Sequence, residues 1–431
     1  MKEIISTILD SWKSRELPET IARDIDISGY AKMKVRKIVV VTGFRRCGKT
    51  YLLLHFIKEL LKGSSREKVV YINLEDERIP LKTEFLTELI PTIKQHFRMP
   101  DFLFLDEPQS IANWSKWLRR IYDTEQKAML FVTGSSSKVS SGEIPTELRG
   151  RFLEIHVFPL SFKEFLKFKG VDVDLKEAVH SESGRVQILR GLNEYLEYGG
   201  LPEVVLSEEG KKEELVQSYY NTVVKMDIIE KFKVRNEEGM KALLRLLLNS
   251  TRYSISRLYD TMKSLNYQIG KTTVQEYISY MESSYFMHSL PIFSYNVKAE
   301  LQYPRKAYFI DNSFITLFSS KFSKNKGRLY ENLVFVELKR RSKKFYYWLS
   351  RQKEEVDFVI LDGLKVKQLM QVSTDMDDLE TRKRETKALL KASKELRCSN
   401  LIVITEDLDR KERLKGKTIV YRPLWKWLLD L

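Results

Sequence analysis

The chain has 431 residues and a formal net charge of +15, and 43% of its residues are hydrophobic. This length exceeds one ordinary hydrophobic core and predicts about two to four domains. The hydrophobic fraction excludes a disordered chain, and two cysteines without a His/Cys cluster exclude a disulfide framework and a recognisable zinc site. The positive charge favours nucleic acid as a partner through phosphate neutralisation, and general solubility of a charge-rich chain is the alternative.

The N-terminal residues lack the charged-then-apolar layout of a signal peptide, and no stretch approaches about 18 consecutive apolar residues. We therefore expect a soluble, cytoplasmic protein that does not bind a membrane. Residues 1–34 predict a helical lead-in with a break at Pro18. The apolar face of this helix comprises Ile4, Ile5, Ile8 and Leu9.

A glycine-rich run from Gly43 to Thr50 matches the phosphate-loop pattern G-x-x-x-x-G-K-[ST] at every fixed position. A β-branched strand precedes it and an apolar-faced helix follows, which is the context that this motif requires. Its glycines let backbone N–H groups face an anion beside the helix N-terminus. We predict that the run binds ATP, that Lys49 pairs with the β and γ phosphates, and that Thr50 ligates Mg²⁺. The predicted nucleotide contacts are Gly43, Phe44, Arg45, Arg46, Cys47, Gly48, Lys49 and Thr50.

Further strands are predicted at residues 69–74, 102–105 and 129–134, alternating with helical patterns, so the fold class is α/β with a parallel sheet. The strand at 102–105 delivers Asp106 and Glu107 to the sheet edge that carries the phosphate loop. We predict that Asp106 holds Mg²⁺ through water. Glu107 is predicted to act as the base or to orient the attacking water.

Two further segments carry candidate catalytic residues. Ser135 or Ser136 is placed to act as a sensor hydroxyl near the γ phosphate, and a helix-capping turn is the alternative. Arg151, with Arg149 as second choice, is a candidate for the positive charge that stabilises the transition state, in cis or across an interface. A solvated pair of basic residues is the alternative.

Together these motifs resemble those of the archaeal and bacterial AAA-like ATPases of the STAND-related group. Residues 158–166 and 198–203 match further segments typical of that family, so the resemblance spans nearly the whole chain. It implies a P-loop ATPase joined to a helical lid, a winged helix and a restriction-endonuclease-like domain. We therefore predict an N-terminal helix with the ATPase core at 1–160, the lid at 161–238, the winged helix at 239–320 and the nuclease-like domain at 321–431.

A winged helix-turn-helix is predicted from helices at residues 240–248, after Ser254 and after Gly270. Strand-like pieces at 286–290 and 307–311 would form the wing. The start of the third helix would enter the major groove of DNA. Its candidate contacts are Lys271, Thr272, Thr273 and Gln275. A winged helix that packs only against protein is the alternative.

From Gly327 onward the element order resembles the PD-(D/E)xK nuclease core, whose acids and lysine bind Mg²⁺ and activate water. Asp357 matches its first acid, and Glu331 matches the assisting acid on the helix. The E-x-K positions depart from the family, because Gln371 and Ser373 supply neither a carboxylate nor lysine's charge. We therefore expect a degenerate nuclease fold with weak or absent cleavage, retained for DNA binding or assembly.

These features predict a Mg²⁺-dependent ATP-hydrolysing protein that associates with DNA. Its nucleotide state is expected to move the winged-helix and nuclease-like domains. A slow nucleotide switch that scaffolds protein partners without DNA is one alternative, and an ATP-regulated, metal-dependent nuclease is another. The sequence leaves open whether the chain forms a homo-oligomer and which protein partners it has.

Overall fold

The computed structural model describes residues 1–134, 146–171, 181–319 and 326–431. The chain divides into two compact units, Met1–Phe158 and Pro159–Leu431. The predicted domain boundary at residue 160 lies close to this division. The boundaries predicted at residues 238 and 320 lie within the second unit and stay predictions.

The first unit is built on a parallel sheet whose central strands are apolar and buried on both faces. Its strands are β1 (Ile38–Gly43), β2 (Val69–Asn73), β3 (Phe102–Asp106), β4 (Met129–Gly134) and β5 (Phe152–Val157). Among the described strands the order is β2-β3-β4-β1-β5, and each neighbouring pair is parallel. The helices of this unit are α1 (Lys2–Ser14), α2 (Ser28–Ala31), α3 (Lys49–Leu61), α4 (Thr83–Phe97) and α5 (Trp114–Thr124). The predicted α/β class is therefore confirmed.

The predicted N-terminal helix is present as α1 and belongs to the core of the first unit. Ile5, Ile8, Leu9 and Trp12 recur at helical spacing and are buried. The indole Nε1 of Trp12 donates a hydrogen bond of 3.0 Å to the carbonyl oxygen of Val69. The helix is thereby fixed against β2, the strand next to β3.

The second unit begins with helices. They are α6 (Phe162–Phe168), α7 (Glu182–Tyr198), α8 (Pro202–Leu206), α9 (Lys212–Thr222) and a π-helical continuation at Val223–Glu230. Helix α6 begins at a capping box in which Ser161 accepts from the Glu164 N–H and the Glu164 carboxylate accepts from the Ser161 N–H. The helical character predicted for residues 161–235 is thus present in the described part of that range.

Four helices and a small antiparallel sheet follow. In chain order they are α10 (Glu237–Leu248), β6 (Arg252–Tyr253), α11 (Ile255–Ser264), α12 (Lys271–Ser283), β7 (Met287–Leu290), α13 (Val297–Gln302) and β8 (Arg305–Phe309). The sheet order among the described strands is β6-β8-β7. Helices α10, α11 and α12 lie where the hydrophobic spacing predicts them.

The last part of the chain forms a mixed sheet with helices before and after its strands. These elements are α14 (Asn312–Phe318), α15 (Lys326–Arg340), β9 (Lys344–Leu349), β10 (Glu355–Asp362), β11 (Lys365–Val372), α16 (Leu379–Glu395), β12 (Leu401–Thr405), β13 (Arg410–Leu414), β14 (Lys417–Pro423) and α17 (Leu424–Leu428). The described strands lie in the order β13-β14-β12-β11-β10-β9. Strand β11 is antiparallel to β10 and parallel to β12. No helix in the described residues is long and apolar enough to cross a bilayer.

The glycine pair at Gly199 and Gly200 has a structural explanation in the second unit. Gly199 has a φ of 72°, and a Cβ there would lie 1.6 Å from Oδ1 of Asp311. The next N–H, that of Gly200, donates a 2.7 Å hydrogen bond to Oδ2 of the same buried carboxylate. Arg340 Nη1 donates to the carbonyl oxygen of nearby Pro159 at 2.7 Å. The run that resembles the family at residues 198–203 is therefore a packing site around Asp311.

We predict that Gly199→Ala lowers the free energy of unfolding by about 3 kcal/mol or more, because alanine adds both backbone strain and a clash with Asp311. Gly210→Ala is the matched control, since its Cβ would meet no atom within 4 Å, and we expect a change within about 0.5 kcal/mol. Denaturant unfolding of both variants measures the difference. Equal stability of the two variants would contradict this account.

Candidate nucleotide site

The phosphate loop, Gly43–Thr50, turns sharply as it leaves β1. Gly43 has a φ of 144°, and a Cβ at this position would lie 2.2 Å from the carbonyl oxygen of Val157 on β5. Only glycine fits here, because both the backbone angle and the neighbouring strand exclude a side chain. The loop then leads directly into α3, whose N-terminus faces the loop's interior.

Lys49 is held inside the loop. Its side chain is buried, and Nζ donates hydrogen bonds of 3.1 Å to the carbonyl oxygens of Gly43 and Phe44. Cys47 is also buried, and burial raises the pKa of its thiol, so the sulfur is a neutral packing group. Arg23, which was not among the predicted site residues, donates to the carbonyl oxygens of Cys47 and Phe158, both at 3.0 Å. Arg23 therefore ties the loop to the end of β5.

The carboxylate of Asp106 collects hydroxyl donors from three different elements. It is 3% exposed, and its Oδ2 accepts from Thr50 Oγ1 at 2.9 Å and from Tyr71 Oη at 2.7 Å. Its Oδ1 accepts from Thr133 Oγ1. Burial and the adjacent Asp106 carboxylate raise the pKa of Tyr71 far above its ordinary value, so the phenol remains a donor.

The structure thus brings Thr50 and Asp106 together, as a shared Mg²⁺ site requires. A hydroxyl and a carboxylate suit Mg²⁺, which proteins hold through few carboxylates together with substrate phosphates. Tyr71 and Thr133 were not among the predicted site residues. They lie on β2 and β4, the two neighbours of β3, and only their side-chain contacts with Asp106 identify them.

Glu107 follows Asp106 in a left-handed backbone conformation with a φ of 52°. Its N–H donates to Thr133 Oγ1 at 3.0 Å, and its carboxylate accepts from Gln109 Nε2. A non-glycine residue in this conformation is uncommon and often marks a functional site. Thr133 therefore contacts both acids, as a donor to Asp106 and as an acceptor from Glu107.

The structure does not bring Arg151 to the phosphate loop. Its backbone oxygen accepts from the N–H of Ile38, at the opposite end of β1 from Gly43, and its guanidinium pairs with Asp123 at 3.1 Å. The expectation of a role in cis for Arg151 is therefore wrong, and a role for Arg149 stays a prediction. A role across an interface stays a prediction. Ser135 and Ser136 lie outside the described residues.

The predicted DNA contacts lie on the first turns of α12. Lys271, Thr272 and Gln275 are exposed and Thr273 is half-buried, while Val274 faces the core. Lys271 Nζ lies 3.4 Å from Ser256 Oγ. These side chains therefore occupy a surface at a helix N-terminus, which suits contact with an anion.

The predicted nuclease residues lie close together around an additional lysine. Asp357 Oδ1 and Glu331 Oε1 both accept from Lys306 Nζ, at 2.8 and 2.7 Å. Gln371 is structural, since its Oε1 accepts from the Asp357 N–H at 3.2 Å and its Nε2 donates to Glu385 at 2.6 Å.

Ser373 directly follows β11 and is buried, and its N–H donates to the carbonyl oxygen of Ile404 at 2.9 Å. Burial, with repulsion from two neighbouring carboxylates, raises the pKa of Asp357 to about 7. Within the described residues, no group of His, Cys, Asp and Glu has an arrangement that could hold a metal ion.

The parallel sheet and the glycine loop after β1 define a P-loop ATPase-like fold. Comparison with known families agrees, since residues 35–166 match an AAA domain. Residues 189–325 and 326–426 match two domains of unknown function, DUF8612 and DUF4143.

The uncharacterized protein MJ1544 of Methanocaldococcus jannaschii is 37% identical over 435 residues, covering 98% of this chain and 94% of that protein. The chain belongs to the family of this protein. An uncharacterized protein of Haemophilus influenzae is 27% identical over 408 residues, covering 91% of this chain and 94% of that protein.

Two solved structures show a weaker likeness. The Walker-type ATPase PABY2304 of Pyrococcus abyssi has a TM-score of 0.46 at 15% identity, covering 71% of this chain and 99% of that chain. The Aeropyrum pernix ORC1 protein in complex with DNA has a TM-score of 0.33 at 13% identity, covering 73% of this chain and 90% of that chain.

We predict that Tyr71→Phe lowers the free energy of unfolding by about 2 kcal/mol, because the buried Asp106 carboxylate loses a hydroxyl donor. Tyr51→Phe is the matched control, since Tyr51 is 56% exposed on α3, and we expect a change within about 0.5 kcal/mol. Chemical denaturation of the nucleotide-free protein measures both. An unchanged free energy of unfolding in Tyr71→Phe would show that the hydrogen bond from Tyr71 to Asp106 does not stabilise the site.

Proposed function

We propose that the protein is an ATPase that binds ATP with Mg²⁺ in the phosphate loop. The observation that carries this proposal is the 2.9 Å contact between the Thr50 hydroxyl and the Asp106 carboxylate, beside a lysine buried inside the loop. On binding, the Lys49 ammonium would exchange two backbone oxygens for the β and γ phosphate oxygens. Thr50 and Asp106 would then hold Mg²⁺ directly and through water.

Glu107 is the residue that we propose to orient the attacking water. Its carboxylate is positioned by Gln109, and its backbone by Thr133. Because Thr133 also donates to Asp106, it couples the position of the metal-binding acid to that of the water-orienting acid. The role of Thr133 here is positioning, since its one O–H donor is directed at Asp106 and its oxygen accepts from the Glu107 N–H.

We predict that Lys49→Ala abolishes ATP binding, whereas Glu107→Gln keeps binding and lowers the rate of hydrolysis by about 100-fold or more. Lysine charge is needed for phosphate affinity, and glutamine preserves the shape of Glu107 without its charge. Glu77→Gln is the matched control, since Glu77 is exposed after β2. Steady-state phosphate release and equilibrium binding of labelled ATP measure both effects. Hydrolysis that persists in Lys49→Ala would exclude this site as its source.

We further propose that the three helices α10, α11 and α12 with strands β6, β7 and β8 form a winged helix that contacts DNA. Support comes from the helix-helix-strand order, from the exposed polar turn at Lys271, and from the net charge of +15. A winged helix that binds only protein is the competing function, and it predicts no DNA affinity even at low salt.

We predict that duplex DNA affinity falls steeply with salt, and that Lys271→Ala lowers the salt slope by about 1, the loss of one phosphate contact. Lys365→Ala is the control, because Lys365 is exposed at the start of β11, which belongs to a different sheet from the proposed winged helix. Fluorescence anisotropy across a salt series measures the slopes. Equal slopes for the two variants would remove α12 from the DNA-binding surface.

Arg151 lies far from its own phosphate loop along β1, but it could act on the loop of a second copy of the chain. We predict that mixing Arg151→Ala with Lys49→Ala restores part of the ATPase rate, because one copy supplies an intact loop and the other supplies the arginine. Each variant alone and each mixed with itself are the controls. A mixture no more active than its parts would leave Arg151 as a surface residue paired with Asp123.

A further inference from the structure

The second unit buries one lysine among three carboxylates, and the proposed ATPase does not use it. Lys306 lies on β8, and only 3% of its side chain is exposed. Its Nζ lies 2.7 or 2.8 Å from one oxygen each of Glu331, Glu355 and Asp357. These three acids are called the carboxylate cluster below.

The ammonium is fully matched by the cluster. A lysine has three N–H donors, and three carboxylate oxygens lie within bonding distance of it. Burial alone lowers the pKa of a lysine, but the surrounding carboxylates outweigh burial and hold the pKa of Lys306 well above its ordinary value. Lys306 is therefore a fixed positive charge.

The acids of the cluster converge from two elements. Glu331 lies on α15, and Glu355 and Asp357 lie two positions apart on β10, so they share one face of that strand. The second carboxylate oxygen of Asp357 accepts from the N–H of Val372 at 2.9 Å, which fixes its orientation. Carboxylate oxygens are ligands that Mg²⁺ and Mn²⁺ prefer, but with the lysine in place no group of acids in the described residues could hold a metal ion. Here a nitrogen atom lies between the acids.

We infer that the Lys306 ammonium is the resident cation of the carboxylate cluster. It takes the place that a divalent metal would need, keeps the cluster free of metal, and fastens β8 to the C-terminal sheet. A metal could enter only by displacing Lys306, since two cations within one cluster would repel each other. Lys306 thus supplies the positive charge that Ser373 lacks at the lysine position of the E-x-K motif. Its ammonium, however, lies where a nuclease would hold its metal ion.

Neighbouring contacts show that the lysine is part of a fixed junction. Tyr308 Oη donates to Glu331 Oε1 at 2.5 Å. The side-chain amide of Asn332 accepts from the N–H of Phe309 at 2.8 Å and donates to its carbonyl oxygen at 2.9 Å. Nη1 of Arg252 on β6 lies 2.8 Å from Oε2 of Glu355, the carboxylate oxygen that does not face Lys306. The small sheet and the C-terminal domain are therefore joined around Lys306, whether or not the chain hydrolyses ATP.

Removal of the lysine charge tests the inference in the full-length, nucleotide-free protein. Thermal unfolding is followed with and without Mn²⁺ for the wild type, Lys306→Met and Lys306→Arg. We expect Lys306→Met to lose stability, because three buried carboxylates lose their counter-charge. Mn²⁺ is then expected to raise the Tm of Lys306→Met by about 4 °C or more beyond any shift in the wild type. The shift in Lys306→Arg is expected to stay within about 1 °C of the wild-type shift.

The double variant with Lys306→Met and Asp357→Asn is the matched control, and it should lose the gain from Mn²⁺. If Lys306→Met is unfolded without metal, refolding by Mn²⁺ but not by Na⁺ supports the inference, and failure to refold overturns it. A Lys306→Met variant that folds but ignores Mn²⁺ also overturns it. So does Mg²⁺-dependent cleavage of supercoiled plasmid by the wild type that is lost in Asp357→Asn, because a working metal site excludes a resident lysine.

Discussion

The buried carboxylate of Asp106 is the group on which the organisation of the first unit depends. A charge that is only 3% exposed is tolerated because hydroxyl groups satisfy it from three directions. Thr50 comes from the helix after the phosphate loop, Tyr71 from one neighbouring strand and Thr133 from the other. The same bonds that make burial tolerable also fix the loop, the sheet edge and Glu107 relative to one another.

The local parts of this site could be predicted from the sequence. The loop from Gly43 to Thr50 and the strand that ends in Asp106 are short, contiguous patterns whose chemistry depends on backbone shape and burial. Tyr71 and Thr133 could not be predicted in this way, because their roles depend on which strands flank β3. Arg151 was misplaced for a related reason, since residues before a parallel strand lie at the edge opposite to the loop.

In the second unit, hydrophobic spacing indicated helices α10, α11 and α12 and most of the strands, but not β6, β13 or the order of strands in either sheet. Glu331 and Asp357 were predicted to share a site. Lys306 could not be found, because it lies 51 residues from Asp357 along the chain, in a different sheet. Gln371 and Ser373 indicated that the E-x-K carboxylate and lysine are absent, but they did not show which group lies between the remaining acids. Only the packing of β8 against α15 and β10 supplies that answer.

Both units bury carboxylates, but the donors that satisfy these carboxylates differ in charge. Hydroxyl donors are uncharged, so Thr50 can turn from Asp106 to a metal ion without removing a counter-charge, while Tyr71 and Thr133 still donate to the carboxylate. The ammonium of Lys306 carries charge, and its departure would leave three acids repelling one another. A site of the first kind can cycle with a nucleotide, whereas a site of the second kind holds one state. We therefore expect the chemistry of this protein to occur at the phosphate loop, with the second unit contributing binding or movement.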